Sequence, residues 1–110
     1  MKAQARHTTG TMNKTEAAYE QHLALRVKAG EIQSYMFEPM SLRLGKSCFY
    51  MPDFMVVTIE GFVAFHEVKG FWREDARVKI KVAAAKFPMF VFLAVQRSKR
   101  SRNGWTTEVF

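Results

Sequence analysis

Acidic residues are scarce in this chain, ten Asp and Glu against seventeen Lys and Arg among 110 residues, so their placement is informative. Asp53 directly follows Pro52 at the head of the apolar run FMVVTI, and Glu67 and Lys69 stand two apart at the end of a second run, FVAFHEVK. Residues two apart in a β-strand project from the same face, which sets the Glu67 carboxylate beside the Lys69 ammonium. Placing both on a sheet face otherwise rich in Phe and Val is unfavourable unless something neutralises them, and a divalent cation bound through oxygen ligands does so. The chemistry open to such a set is Mg²⁺-assisted hydrolysis, with Mn²⁺ as a substitute ion. Two carboxylates hold the ion near a phosphate, and the ion lowers the pKa of a bound water. The lysine stabilises charge building on the phosphate or orients the attacking water.

For Asp53 to share a face with Glu67, the hairpin between the two runs needs a particular loop. A two-residue Glu60-Gly61 loop would set Asp53 against Val68 and send its carboxylate to the opposite face. A three-residue loop, Ile59 to Gly61, with Gly61 in the left-handed conformation and a bulge, pairs Thr58 with Phe62 and Asp53 with Glu67. Upstream, residues 14–29 are rich in helix formers, set Tyr19, Leu23 and Val27 four apart and stop at Gly30, which predicts a helix capped by Asn13. Residues 31–51 fit one or two strands interrupted by Pro39 and the turn-like LGKS. Downstream, FWREDARVKIKVAAAKF carries Glu74 and Asp75 near its start and Lys86 near its end, as a helix dipole favours, and predicts a helix ending before Pro88. MFVFLAVQ then reads as a strand covered on both faces. The expected fold class is α/β: a mixed central sheet of about four to five strands flanked by helices. The second helix makes a right-handed crossover that leaves the last strand parallel to its neighbour. Residues 1–12 are expected to form a flexible arm, 13–96 the domain, and 97–110 a basic C-terminal segment with a candidate terminal strand.

In order and spacing these residues resemble the PD-(D/E)XK nuclease superfamily. YMPDF supplies Pro52 and Asp53 as its PD, and EVKG supplies Glu67, Val68 and Lys69 as its EXK. More closely, PDF followed by EVKGFWREDAR resembles the phage junction-resolving endonuclease I family, where a Trp and a helix start of mixed charge also follow the lysine. Similar signatures occur in the end-cleaving nuclease subunits of some transposons and in other small phage nucleases. The resemblance covers roughly residues 13 to 96. It implies a restriction-endonuclease-like core and a metal-dependent DNA endonuclease that leaves a 5′-phosphate. The expected substrate is branched DNA such as a four-way (Holliday) junction, cut by a homodimer inside a bacterial host cell. It also implies that a glutamate near the start of the first helix joins the site, and NKTEAAYEQHL puts Glu16 there. The catalytic candidates are therefore Glu16, Asp53, Glu67 and Lys69, with the three carboxylates as metal ligands. Alternatives are a transposon-end or general DNA nuclease of the same superfamily, or a non-catalytic basic DNA-binding module.

Each candidate has a plainer use. Glu16 stands three residues after Asn13, the spacing at which a glutamate bonds back to a cap residue. Glu20, one turn on, is its substitute at the site. Asp53 could merely begin a strand, and Glu67 with Lys69 could form a surface ion pair on an edge strand. His66 points away from Glu67, and His7 and His22 have no partners at metal-site spacing. Trp72 and Phe71 could stack on a nucleotide or pack at a helix start. Arg97, Lys99, Arg100 and Arg102 could hold DNA phosphates, with Trp72 completing a DNA-binding set, or could form a solvated tail.

Composition narrows the classes. The net charge of +7 points towards phosphate polymers or anionic surfaces. A hydrophobic content of 48%, with ten Phe and seven Met, excludes disorder of the bulk. No run of eighteen apolar residues occurs and the first twelve lack a secretory apolar stretch, so an intracellular protein without a membrane partner is expected. Cys48 is the single cysteine, which excludes an internal disulfide and a thiolate metal site.

Overall fold

Asn13 and Glu16 close a capping box at the head of the first helix in the computed structural model, which describes residues 11–110. The Asn13 side chain accepts the Glu16 amide at 2.7 Å and Glu16 Oε1 accepts the Asn13 amide at 3.0 Å. Two otherwise unpaired amides of the first turn are thereby satisfied. The helix, α1 (Lys14–Lys28), ends where Gly30 turns to φ 76°. The Gly30 amide bonds Val27 O and the Glu31 amide bonds Arg26 O, the paired bonds of a Schellman cap.

Seven strands and a second helix follow: β1 (Ile32–Phe37), β2 (Leu42–Gly45), β3 (Cys48–Tyr50), β4 (Phe54–Thr58), β5 (Val63–Lys69), α2 (Glu74–Lys86), β6 (Val91–Arg97) and β7 (Trp105–Val109). Five strands form a mixed sheet in the order β1-β4-β5-β6-β7, and β2 with β3 forms a separate hairpin. Within the sheet only β5 and β6 run parallel, and α2 is the crossover between them, as the chain order demands. The fold is therefore the expected α/β class. Residues 31–51 hold three strands where one or two were expected, and two of these leave the main sheet.

The β4–β5 hairpin has the register that the site requires. Phe54 faces His66 and Val57 faces Val63. The Thr58 amide bonds Phe62 O, the Gly61 amide bonds Thr58 O, and Gly61 takes φ 94° in a three-residue loop. One step beyond Phe54 the same register puts Asp53 opposite Glu67.

Alternation then assigns side chains to two cores. Phe54, Val56, Val68 and Val95 pack with Tyr19 and Leu23 of α1 and with Trp105. Phe65, Phe92 and Ala94, with Met55, pack against Ile80 and Ala83 of α2 and against Leu42 and Tyr50 of the β2–β3 hairpin. Asp53 and Glu67, in phase with Met55 and Phe65, project towards the α2 side. His66 projects the other way, and its Nδ1 pairs with the buried Tyr19 hydroxyl at 2.7 Å.

The C-terminal segment departs from the expected boundary at residue 96. β6 runs through Arg97, β7 pairs with it along its length, and the Phe110 amide bonds Phe92 O. Trp105 is buried, with its ring edge-on to Tyr19 at 4.9 Å and the Arg97 guanidinium over it at 5.0 Å. Residues 97–110 thus complete the sheet and one core. Of the expected N-terminal arm, residues 1–10 lie outside the described residues, while Met12 packs against the α1-side core. No described helix is long and apolar enough to cross a membrane.

Candidate active site

Buried Pro52 leads the chain into β4, and Asp53 stands where the β4–β5 ladder begins. At this ladder end, side-chain carboxylates accept bonds from backbone amides of the opposite strand. Asp53 Oδ2 accepts the Val68 amide at 2.8 Å, and Glu67 Oε1 accepts the Asp53 amide at 3.3 Å. Glu67 Oε1 also accepts the Tyr50 hydroxyl at 2.8 Å. Lys69 Nζ lies 3.5 Å from Glu67 Oε2, and its side chain remains 39% exposed, open to solvent and to an incoming ligand. Asp53 and Glu67 are each only 8% exposed. The pair is thereby fixed in place by the sheet and covered by the β2–β3 hairpin.

Two acids buried this close cannot both ionise without penalty. Burial, then the Glu67 charge, push the Asp53 carboxyl up to about 8, while the Val68 amide and Lys69 pull it back. Burial likewise raises Glu67, opposed by the Tyr50 hydroxyl, Lys69 and the Asp53 amide. Burial and the neighbouring Glu67 keep the Tyr50 hydroxyl protonated, as a donor must be. Ionising both carboxyls would leave more negative charge than Lys69 offsets, and Glu67 borders a solvent-reachable cleft. Beside them opens a cleft of about 310 Å³ lined by Tyr50, Met51, Glu67, Lys69, Asp75, Ala76 and Lys79. Two carboxyls with hard oxygen donors at one end of the sheet suit a divalent cation.

No family model, curated protein or solved structure matches this chain. What the site can do is therefore read from its own geometry.

The structure brings Asp53, Glu67 and Lys69 together on one face but does not bring Glu16 into a three-carboxylate group. Among the described residues no three His, Cys, Asp or Glu side chains are grouped to hold a metal. The physical reason is the cap: Glu16 Oε1 is held by the Asn13 amide. Its charge still reaches Asp53 and raises that carboxyl. Glu20, the substitute, lies close enough to Tyr35 on β1 for its charge to add to burial in raising that hydroxyl.

The expected DNA-binding set is also redistributed. Trp72 is half-buried and packs on the α2-side core, so the aromatic side chain presented to solvent is its neighbour Phe71, 76% exposed. Arg97 lies over Trp105. Lys99, Arg100 and Arg102 are exposed on the β6–β7 turn. That turn lies at the Lys69 end of the sheet, where the Gln96 side-chain Nε2 donates to Gly70 O at 3.2 Å. Sequence reasoning missed Tyr50 and Lys79. For Tyr50 a signal existed, an aromatic with a polar handle three residues before the aspartate, which tends to find a partner when buried. Lys79 had no local signal.

Tyr50→Phe offers a direct check on this geometry. Removing the hydroxyl leaves a buried carboxylate oxygen with one donor fewer, a loss of about 1–3 kcal/mol in stability where Glu67 is ionised. Because that bond holds the Glu67 carboxyl down, its loss should move the acid limb of any activity profile to higher pH. Denaturant titration at acid and alkaline pH measures the first effect. A pH–rate profile superimposable on wild type would make the hydroxyl a bystander.

Proposed function

We propose that this protein is a metal-dependent endodeoxyribonuclease that hydrolyses phosphodiester bonds. The observation that carries this reading is the convergence of Asp53, Glu67 and Lys69 at the end of one hairpin: two buried, mutually destabilised carboxylates and one accessible ammonium beside an open cleft. Asp53 and Glu67 would hold Mg²⁺, or Mn²⁺ in its place, with Glu16 adding negative field from the first turn of α1. When bound, the ion supplies Lewis-acid stabilisation of phosphate charge and a water acidic enough to attack near neutral pH.

The chain's own groups do the rest. The Val68 and Asp53 amides and the Tyr50 hydroxyl fix the carboxylates in one geometry, so little reorganisation accompanies the reaction. Lys69 lies within reach of Glu67 and of the cleft, where its ammonium can orient the water or stabilise charge on the phosphate. Exposed Phe71 and the Lys99, Arg100 and Arg102 turn flank the same end of the sheet and give the nucleic acid its stacking and phosphate contacts.

Branched DNA is the proposed substrate and a homodimer the proposed working form, because two cuts in two strands at a junction call for two sites related by symmetry. Cleavage of labelled duplex, single-stranded, flapped and four-way DNA with Mg²⁺, against an EDTA control, tests the reading. Cleavage that needs the ion and favours the four-way junction supports all of it. Equal cleavage of every duplex form leaves a general nuclease. Absence of cleavage with DNA binding retained leaves a basic binding module.

Neutralising Lys99, Arg100 and Arg102 together with Gln should weaken DNA binding and flatten the slope of log affinity against log salt by up to about three, since each phosphate contact releases about one counterion. Point substitutions are the right tool because deleting residues 97–110 would remove β7 and Trp105 from the fold. An unchanged slope would make the turn a solvated bystander.

A further inference from the structure

The cleft has a second wall that the nuclease chemistry above does not use. It is built by the first two turns of α2, where Asp75, Ala76 and Lys79 share one helix face and look across at Glu67 and Lys69. Ala76 has no side chain beyond Cβ, which keeps this wall low between the two charged residues. Lys79 is exposed, stands in the second turn of α2 and forms no ion pair among the described residues. Asp75, one turn before it on the same wall, forms no ion pair with it. Its Oδ1 accepts the Ala76 amide at 3.0 Å and lies 3.7 Å from Arg73 Nε. Lys79 is therefore an exposed cation without an ion-pair partner among the described residues, beside a site that already carries Lys69.

We propose that this cleft receives the backbone of the strand to be cut, and that Lys79 contacts a phosphate next to the scissile one. The inference rests on the nuclease reading and adds to it a positioning residue on α2. The scissile phosphate needs the carboxylate pair and Lys69, and a second anion entering the same cleft meets only Lys79 as an unpaired cation on the far wall. A contact of this kind holds the substrate equally in ground and transition states, so its loss appears in KM more than in kcat.

The experiment compares Lys79→Gln, Lys79→Arg and, as a charge control at the other end of α2, Lys86→Gln. Binding is measured in an Asp53→Asn background with fluorescein-labelled duplex DNA at several salt concentrations, and steady-state cleavage in the otherwise wild-type chain. Lys79→Gln should raise KM by about tenfold with kcat nearly unchanged, and reduce the salt slope by about one. Lys79→Arg should restore both, and Lys86→Gln should change neither.

A second readout locates the contact. Single methylphosphonate replacements, which neutralise one phosphate at a time, should weaken wild-type binding at several positions, and at one position beside the cleavage point should add nothing to the Lys79→Gln defect. Additive losses at every position, or a Lys79→Gln variant with wild-type KM and slope, would overturn the assignment while leaving the nuclease reading intact. A wild-type protein that neither binds nor cuts DNA overturns both.

Discussion

Lys69→Ala is expected to lose about 10²–10³ in the rate of DNA cleavage, the loss typical of removing one preorganised stabiliser of transition-state charge, while keeping its fold and most of its DNA affinity. Two effects act together. The ammonium that meets charge on the phosphate is gone, and so is the cation 3.5 Å from Glu67 that favours the ionised forms of both Glu67 and Asp53. With Lys69 absent both carboxyls hold protons more tightly, so metal loading at neutral pH falls as well. Part of the defect should therefore be recovered by raising the pH or the Mg²⁺ concentration, and the remainder is the direct contribution to the transition state. Stability changes little, because an ion pair with a partly exposed lysine contributes only about 0–1 kcal/mol. Asp53→Asn should be at least as inactive, without recovery at high pH. Single-turnover cleavage alongside a melting curve separates catalysis from folding. A Lys69→Ala protein that cuts at the wild-type rate would remove the lysine from the site.

The second large effect is a pH-dependent stability that a divalent cation reverses. Asp53 titrates at about 8 in the folded chain against an ordinary value of 3.8, and Glu67 is shifted in the same direction. A carboxyl with a raised folded pKa stabilises the fold fully below the unfolded value and loses that contribution as pH rises through the folded one. In metal-free buffer the domain should therefore become less stable towards pH 8, by up to about 1.4 kcal/mol per pH unit for each titrating group. Each kcal/mol corresponds to roughly 4–8 °C in Tm for a domain of this size.

His66 acts in the opposite sense. Burial, with Arg26 and His22, pushes its imidazole down to about 4, so its contribution is complete above 6.5 and is lost as pH falls through 6.5 towards 4. The two effects offset one another between pH 4 and 6.5, which makes pH 6.5–8 the window where the carboxylates act alone. Across it, Tm of the wild type should fall in EDTA and recover with Mg²⁺ or Mn²⁺, with more recovery at pH 8 than at 6.5. Asp53→Asn should flatten the EDTA profile and blunt the recovery. A wild-type Tm indifferent to both pH and divalent ions over this range would show that the pair is neither strained nor metal-binding.

Some of this protein was determined locally. Asn13, Gly30 and the helix formers between them specify α1 because caps and propensities act within a few residues. The face shared by Asp53 and Glu67 follows from a period of two and a three-residue loop, both of which can be counted along the chain. The parallel pairing of β5 and β6 follows from the length of α2, since no tight turn joins parallel strands.

Other features were decided only by contacts between distant segments. Glu16 has the right spacing for a cap and the right helix for a metal site, and spacing alone serves both; in the fold one carboxylate oxygen is engaged at Asn13 while the charge stays within reach of Asp53. WTTEV exposes four of its five side chains, so it lacks the apolar alternation that marks a strand. Its place in the sheet is secured by backbone bonds to β6 and by the burial of Trp105 against Tyr19. Trp72 could face solvent or core with equal local cost until α2 and the β2–β3 hairpin gave it a surface to cover. Tyr50 and Lys79 become part of the site only because that hairpin and α2 fold over the same sheet end. Side chains from three separate segments meet there, and the free energy that selects the arrangement is the burial of apolar surface between layers, which no window of neighbouring residues contains.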